Sequence, residues 1–168
     1  MPRRGPALTL LSLSDLSHLL RERLHDLHEV DAEDSAFHRT SFESLDDEEL
    51  KVRRRPSRRS LRDGETWSGP AQFELIDMTG FMLCMSRLPA GSDAMTININ
   101  VNFLRPPPYG DLIARARPLR RSGRSAVIDI SLESALLDEV VTHATASFAF
   151  VAANAAARGM AAVTAGGG

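Results

Sequence analysis

Leucines recur at three- and four-residue intervals near the start of the chain, and this spacing predicts an amphipathic helix. The repeated positions lie in LSDLSHLLRERLHDLHEV, residues 13–30, and are Leu13, Leu16, Leu20, Leu24 and Leu27. Ser12 or Ser14 is suited to cap this helix. His18, His25 and His28 lie mostly off the leucine face, so we interpret them as solvated side chains and predict no metal site.

Apolar and polar residues alternate strictly in AMTININVNFL, residues 94–104, which predicts a strand with one buried face. The pattern places Met95, Ile97, Ile99, Val101 and Phe103 on one side of the strand. Three further strand-like segments follow after short turns: GDLIARARPLRR, SAVIDISLES and VVTHATASFAFV. Strands joined by short turns are most simply antiparallel neighbours, so we expect a four-stranded meander. An edge strand carrying Asn98 and Asn100 would be free to pair with a second chain.

A segment that is apolar nearly all round precedes these strands. It runs from about Pro70 to Arg87 and predicts a helix that the sheet must wrap. A helix against an antiparallel sheet makes a two-layer α+β domain. Asp77 lies within this segment, where an unpaired charge would be costly. We interpret it either as a carboxylate that opens onto a cleft or as a buried acid paired with an arginine or backbone amides.

The region between the two helices is polar and carries a basic run. The run reads KVRRRPSRR, residues 51–59, and it follows an acidic block at Asp46–Glu49. A contact with phosphate or nucleic acid is one interpretation, and an irregular strand balanced by acidic neighbours is the other. No aromatic residues are interleaved with the arginines, so nothing favours nucleic acid.

Length and composition describe an ordinary globular domain. The chain has 168 residues and a net charge of −2, which gives no overall attraction to nucleic acid or membranes. Cys84 is the single cysteine, so no disulfide can form within the chain and a reducing compartment is expected. Its apolar neighbours favour a packed thiol over a reactive one. No stretch approaches the ~20 apolar residues of a membrane span. We therefore expect a cytoplasmic location.

Several short motifs occur in a fixed order between residues 48 and 151. Ser68-Gly69-Pro70 opens the apolar helix, and Asp77 follows Gly69 by eight residues. The first long strand ends in VNFLRP, residues 101–106, and Gly110-Asp111 comes next. An R-x-G-R turn spans residues 121–124. In this order and spacing, the chain resembles the hotdog-fold acyl-CoA thioesterases, specifically the phenylacetate-pathway-like family.

The resemblance implies a hotdog fold, in which an antiparallel sheet wraps around a central apolar helix. It also implies a homodimer or homotetramer whose active sites lie between two subunits. By the same resemblance, Asp77 would be the general base or nucleophile, the Gly69 N–H would stabilise the oxyanion, and Thr96 would position the water. The substrate would be an acyl-CoA, and no cofactor is implied beyond the CoA carried by the substrate.

Three positions depart from the family pattern. Ser68 replaces a histidine and Pro70 replaces a second glycine, but a helix start tolerates both. Arg62, or Leu61 with a one-residue insertion, occupies the place of an asparagine or glutamine. A non-catalytic hotdog protein that binds acyl-CoA or another small ligand is therefore the alternative function. A dehydratase is disfavoured, because it needs a histidine at the helix and none lies between residues 42 and 142.

Further candidate binding residues flank the predicted site. Ser68 and Arg62 would lie close to the substrate, while Glu74 could line the cleft or pair with an arginine of the basic strand. Basic residues that could meet the CoA phosphates are Arg105, Arg121 and Arg124. The predicted organisation is a flexible segment at 1–12, an additional N-terminal helix and polar connection at 13–47, the hotdog domain at 48–151, and a disordered tail at 152–168.

Overall fold

The computed structural model describes residues 11–25 and 38–152. Helix α1 spans Leu13–His25 and helix α2 spans Gly69–Met85. The eight strands are β1 (Thr40–Leu45), β2 (Leu50–Arg54), β3 (Leu61–Arg62), β4 (Thr66–Trp67), β5 (Asp93–Phe103), β6 (Leu112–Arg121), β7 (Ser125–Ser134) and β8 (Glu139–Val151). A short 3₁₀ turn, Arg58–Ser60, precedes β3.

Six strands form one antiparallel sheet, and α2 packs against one of its faces. The strand order is β1-β2-β6-β7-β8-β5, while β3 and β4 form a separate two-stranded ribbon. Alternate residues of β7 and β8 face α2 and are fully buried, among them Ile130 and Phe148. Apolar and buried residues recur around most of the helix, as expected of a helix that a sheet encloses. The predicted hotdog arrangement of a central helix within an antiparallel sheet is therefore confirmed.

The predicted meander is wrong for one strand. β6, β7 and β8 are consecutive neighbours as expected, but β5 pairs with β8 instead of β6. The residues between β5 and β6 include Pro106, Pro107 and Pro108, which cannot supply the donors of a tight hairpin. The other edge of β6 is occupied by β2. As a result, the eleven-residue β5 lies at an edge of the sheet.

A β-bulge changes the faces that strict alternation predicts for β5. The register with β8 shifts between Thr96 and Asn98, so Ile97 is the extra residue. Thr96 pairs with the buried Phe148, and Ile99 pairs with the buried Ala146. Thr96 and Ile99 therefore lie on the same, helix-facing side. The prediction that Met95 and Ile97 share the face of Ile99 is wrong, because a bulge reverses the alternation beyond it.

The N-terminal part adds a helix and a strand to this core. In α1, Ser12 accepts from the Asp15 N–H at 3.1 Å, which confirms the predicted cap, and Leu16 and Leu20 are buried. β1 lies within the stretch expected to be a polar connection, and it extends the sheet beyond β2. Residues 1–10 and 153–168, to which we assigned flexible ends, lie outside the described residues. Within the described part, neither helix is long and apolar enough to cross a membrane.

Gly80 allows α2 to lie close to the sheet. A Cβ added there would be 2.8 Å from Phe148 Cζ and 3.0 Å from Ile130 Cδ1, and both of these side chains are fully buried. We expect Gly80→Val to lower the free energy of unfolding by about 1–3 kcal/mol, since overpacking outweighs the gain in helix propensity. Urea denaturation measures the change. Gly123→Val is the matched control, because nothing lies within 4 Å of a Cβ at that position. Equal stability of the two variants would contradict the close packing of α2.

Candidate active site

The start of α2 presents one backbone donor. Ser68 caps the helix, and its Oγ accepts from the Ala71 N–H at 3.3 Å. Pro70 has no N–H, and the Gly69 N–H has no acceptor among the described residues. First-turn N–H groups carry the positive end of the helix dipole. The sequence Ser-Gly-Pro thus leaves a single free donor where an anion or an oxyanion would be stabilised.

An aromatic ring covers one side of this helix start. The Cζ of Phe103 lies 3.5 Å from the position that a Cβ on Gly69 would take, which is ordinary van der Waals contact. Phe103 is nevertheless 54% exposed, and its neighbour Leu104 and Phe73 of α2 are exposed as well. The free N–H is therefore flanked by apolar surface. Phe103 was placed in the family motif by sequence, but its contact with Gly69 depends on where β5 ends against the helix, and that was not predictable.

Asp77 is half-buried and lies about two turns beyond Gly69 along α2. Its Oδ1 accepts a hydrogen bond from the Thr96 hydroxyl at 2.7 Å. No arginine pairs with it among the described residues, so of the two interpretations the open carboxylate agrees with the structure. The bulge at Ile97 makes this contact possible, because it turns Thr96 towards the helix. The structure therefore brings together two of the three residues predicted to be catalytic.

The third residue, Gly69, cannot reach the same substrate atom within one chain. Eight residues of α2 separate Gly69 from Asp77, which corresponds to about 12 Å along a helix that rises about 1.5 Å per residue. A group that donates to an oxyanion must lie about 3 Å from that oxygen, and a general base must lie about 3 Å from the water that attacks the carbonyl carbon. Each chain thus presents two separate groups, which we call the Gly69 half-site and the Asp77–Thr96 half-site for the role that the sequence predicts.

Glu74 does not stand free in the cleft. Its Oε1 accepts from Arg54 Nη1 at 3.0 Å, so the interpretation that it pairs with the basic strand agrees with the structure. Arg54 is only 4% exposed, and this burial lowers the pKa of its guanidinium. The other cations of β2 are also balanced: Lys51 pairs with Glu43 at 2.8 Å, and Arg53 pairs with Asp111 at 3.2 Å. The first part of the basic run is a strand neutralised by acids.

Four more arginines were predicted near the substrate, and they lie in different places. Arg62 is exposed and pairs with the adjacent Asp63, 3.3 Å away. Arg105 pairs with Glu139. Arg121 donates to the carbonyl oxygen of Arg87, beyond the C-terminal end of α2.

The fourth arginine, Arg124, lies at the end of the sheet that is nearer to the Asp77–Thr96 half-site. Its carbonyl accepts from Phe150, which pairs with Ala94 at the start of β5, two residues before Thr96. The turn of residues 121–124 is thus on the Thr96 side, and Arg62 and Arg105 are on the Gly69 side. Because the two groups lie at opposite half-sites, one chain does not gather these arginines around a single ligand.

Two other titratable groups lie apart from the half-sites. Cys84 is buried in the core, and desolvation raises the pKa of its thiol to about 12, which agrees with the predicted packed thiol. His143 bonds to Asp129 at 2.7 Å on the sheet face that points away from α2. Among the described residues, no cluster of His, Cys, Asp and Glu could hold a metal ion.

Comparison with known proteins bears on the region that contains both half-sites. A family model described as the thioesterase superfamily matches residues 64–141. The chain is similar to thioesterases. This match includes Ser68, Gly69, Asp77 and Thr96 but not Arg62. A search of curated protein sequences gives no significant match.

Solved structures show the same fold over most of the chain. A candidate thioesterase from Silicibacter has 28% identity and a TM-score of 0.73, with 88% of this chain and 97% of that chain covered. A conserved protein from Pseudomonas aeruginosa has 25% identity and a TM-score of 0.61, covering 67% and 88%. A thioesterase from Haemophilus influenzae shares 16% identity with a TM-score of 0.72, covering 87% and 94%. The fold is the hotdog fold, and the similarities support thioester hydrolysis as the general reaction class.

Proposed function

We propose that this protein hydrolyses acyl-CoA thioesters at a site shared by two copies of the chain. The observation that carries the proposal is the Asp77–Thr96 pair, a half-buried carboxylate held by one hydroxyl on the exposed side of a largely apolar helix. A free Gly69 N–H at the start of the same helix supplies the complementary group. The phenylacetate-pathway-like family remains a prediction from the sequence motifs.

The proposed reaction uses the two half-sites on one thioester. The carbonyl oxygen accepts from the Gly69 N–H of one copy, which stabilises the negative charge that develops during attack. Asp77 of the other copy removes a proton from water, and the resulting oxygen nucleophile attacks the carbonyl carbon. The C–S bond then breaks, and the CoA thiolate leaves and takes up a proton. In the variant with Asp77 as nucleophile, a mixed anhydride forms first and water hydrolyses it.

The proposed contact between copies is the free edge of β5. An edge strand presents unpaired backbone donors and acceptors, and a second β5 can pair with them in a symmetric antiparallel fashion. On this strand Met95 is 60% exposed and Ile97 is 64% exposed. Adjacent exposed apolar side chains of this size are typical of a surface that another molecule covers. Pairing would cover these residues and carry the Asp77–Thr96 half-site of each copy towards its partner. We propose a dimer as the minimal active unit, and a tetramer would be built from two such dimers.

Arg121 and Arg124 are the proposed contacts for the CoA phosphates, because their turn lies at the end of the sheet that is nearer to the Asp77–Thr96 half-site than to the Gly69 half-site. Arg105 and Glu74 are neutralised by intramolecular ion pairs, so we assign them no direct contact with substrate, whereas Arg121 donates only to an uncharged carbonyl. The acyl group would lie against the apolar surface of Phe103 and Leu104. The proposed partners are thus the acyl-CoA substrate and a second copy of the chain.

A non-catalytic binding protein is the second candidate function. The observation that favours it is Arg62, which is exposed and paired with Asp63 where the family places a side-chain amide. Such a protein would bind CoA or acyl-CoA at the same cleft without turnover.

The release of free thiol from a panel of acyl-CoAs tests the proposal. We expect hydrolysis of at least one acyl-CoA, with CoA and free acid produced in equal amounts. Calorimetry with CoA measures binding separately from turnover. Binding without release of thiol from any substrate would favour the binding protein and reject the hydrolase.

The Thr96 hydroxyl has a testable role in this reaction. Thr96→Val keeps the shape of the side chain but removes the hydrogen bond to Asp77, and we expect kcat to fall roughly 10- to 100-fold because hydrogen bonds to charged groups are worth about 1.5–3 kcal/mol. Thr145→Val is the matched control, since Thr145 lies on the opposite face of the sheet. Steady-state kinetics of both variants provide the comparison. Equal kcat for the two variants would exclude a role for Thr96.

A further inference from the structure

Two carboxylates lie on the exposed side of α2, and their partners draw them towards opposite edges of the sheet. Glu74 and Asp77 are three residues apart, a spacing that places their Cβ atoms about 5–6 Å from each other. Glu74 is bound at 3.0 Å by Arg54 of β2, and Asp77 is bound at 2.7 Å by Thr96 of β5. β2 lies near one edge of the sheet and β5 is the opposite edge. The two acids are therefore held apart.

Arg54 is well placed to hold Glu74 away from Asp77, because Glu74 is the one partner found for its side chain among the described residues. Its side chain is 5% exposed, whereas that of Glu74 is 53% exposed. Its Nε and Nη2 are buried and have no acceptor among the described residues. A buried guanidinium with a single acidic partner is costly compared with an apolar pair of the same volume. Packing alone does not account for this arrangement.

We propose that Arg54 is a positioning residue that holds and neutralises Glu74, so that Asp77 is the one uncompensated carboxylate facing the shared cleft. This inference rests on the proposed hydrolysis. Without Arg54, the Glu74 carboxylate would lie one turn from Asp77 with no counter-charge. A like charge at that distance favours the protonated form of Asp77, and a protonated carboxyl can act neither as base nor as nucleophile.

The other charged groups around α2 do not replace this effect. On the helix itself Cys84 stays protonated near neutral pH, because burial raises its pKa to about 12. The helix-facing residues of β5, β7 and β8 beside Asp77 are uncharged. Charged residues along the middle of β6, β7 and β8, such as Arg115, Asp129 and His143, lie on the sheet face that points away from α2. Near the two ends of α2 are Arg58 and Arg59 on one side and Arg87 and Arg121 on the other. Arg54 is thus the cation placed to act on Glu74 from the sheet.

The dependence of kcat/KM on pH tests this inference. In Arg54→Met, we expect the midpoint of the acidic limb to rise by about one pH unit, because Glu74 is left as a free anion. In Glu74→Gln, the midpoint should fall, because the charge of Arg54 is no longer balanced. The double variant should return close to the wild-type midpoint, and Arg54→Lys, which keeps the charge, should also stay close to it. Glu48→Gln removes an exposed carboxylate elsewhere and should leave the profile unchanged.

A purely structural pair gives a different result. It would lower the melting temperature of both single variants and leave the acidic limb where it is in the wild type, which would overturn the inference. If Arg54→Met does not fold, the pH profile of Glu74→Gln decides alone, since Glu74 is half-exposed and its substitution should leave the fold intact. If the wild type hydrolyses no thioester, the proposed function fails. The carbon-13 titration of the Asp77 carboxyl then reports the same opposite displacements, or their absence, without any need for turnover.

Discussion

Asp77→Asn should lower kcat/KM for an acyl-CoA by about 10²–10⁴-fold, the usual contribution of a positioned base. The amide keeps the size of the side chain and can still accept a hydrogen bond from the Thr96 hydroxyl, which lies 2.7 Å from Asp77 Oδ1. It cannot take a proton from water or form an anhydride. The loss should appear in kcat and leave binding of CoA nearly unchanged.

Thiol release and calorimetry on the same preparation separate these two effects. Asp47→Asn is the control, because Asp47 is exposed in the turn between β1 and β2, where its carbonyl accepts from Arg87 beyond the C-terminal end of α2. If Asp77→Asn retains most of the wild-type rate, the carboxylate has no chemical role and the binding protein becomes the better description. If the variant instead fails to bind CoA, Asp77 contributes to substrate binding and not specifically to the chemical step.

The central helix and the main strands were predictable from local rules. Ser68 and Pro70 are preferred residues at a helix start, and the apolar residues after them continue for four turns. The alternation in β7 is uninterrupted, and its burial alternates along all ten residues. In these segments the local pattern and the tertiary packing require the same conformation, so the sequence pattern alone predicts the structure.

The order of strands and the face of Thr96 were not predictable in the same way. Strict alternation in residues 94–104 placed Thr96 opposite Ile99, but the bulge at Ile97 places them on one face. A bulge is stabilised by the pairing with β8 and by the contact of Thr96 with Asp77, and neither is local in sequence. The resemblance to a family identified Thr96 correctly as a neighbour of Asp77, whereas the alternation assigned it to the wrong face. The spacing of a motif gives the number of residues between two positions but not the direction in which their side chains point.

The Arg54–Glu74 pair shows that a pattern of charges in the sequence does not determine which of them are buried. The basic run at residues 51–59 has arginines in succession, and only their position in β2 decides that Arg54 points into the core while its neighbours face outward. β1 was missed for a related reason. Four of its six residues, TSFESL, are polar and none is fully buried, so the segment lacks the regular apolar alternation by which a strand is recognised.

A mixture of two inactive variants should recover activity if the site is shared. Asp77→Asn removes the base from one half-site, and Gly69→Pro removes the N–H from the other. Proline suits this position, since it is favoured at the first residue of a helix and requires an extended residue before it. Ser68 already has an extended backbone conformation. Each variant alone should lose about 10²-fold or more of the wild-type rate.

In a heterodimer of these two chains, one site carries both substitutions and the other carries neither. Random exchange makes half of the dimers mixed, so the mixture should reach about a quarter of wild-type activity in a symmetric two-site dimer. Unfolding the two variants together and refolding them allows the chains to exchange. Thiol release before and after this step measures the recovery.

The matched control combines two variants of the same half-site. Thr96→Val and Asp77→Asn both damage the Asp77–Thr96 half-site, so each site of their heterodimer keeps one defect and no recovery should follow. Gly69→Ala tests the donor itself, because it keeps the N–H and its Cβ would meet Phe103 at an ordinary 3.5 Å. Recovery in the control mixture would mean that refolding itself raises activity, and no recovery in the Gly69→Pro mixture would mean that each chain works alone. Because about 12 Å separates Gly69 from Asp77 along one helix, a single-chain site would then require a group other than the Gly69 N–H to stabilise the oxyanion.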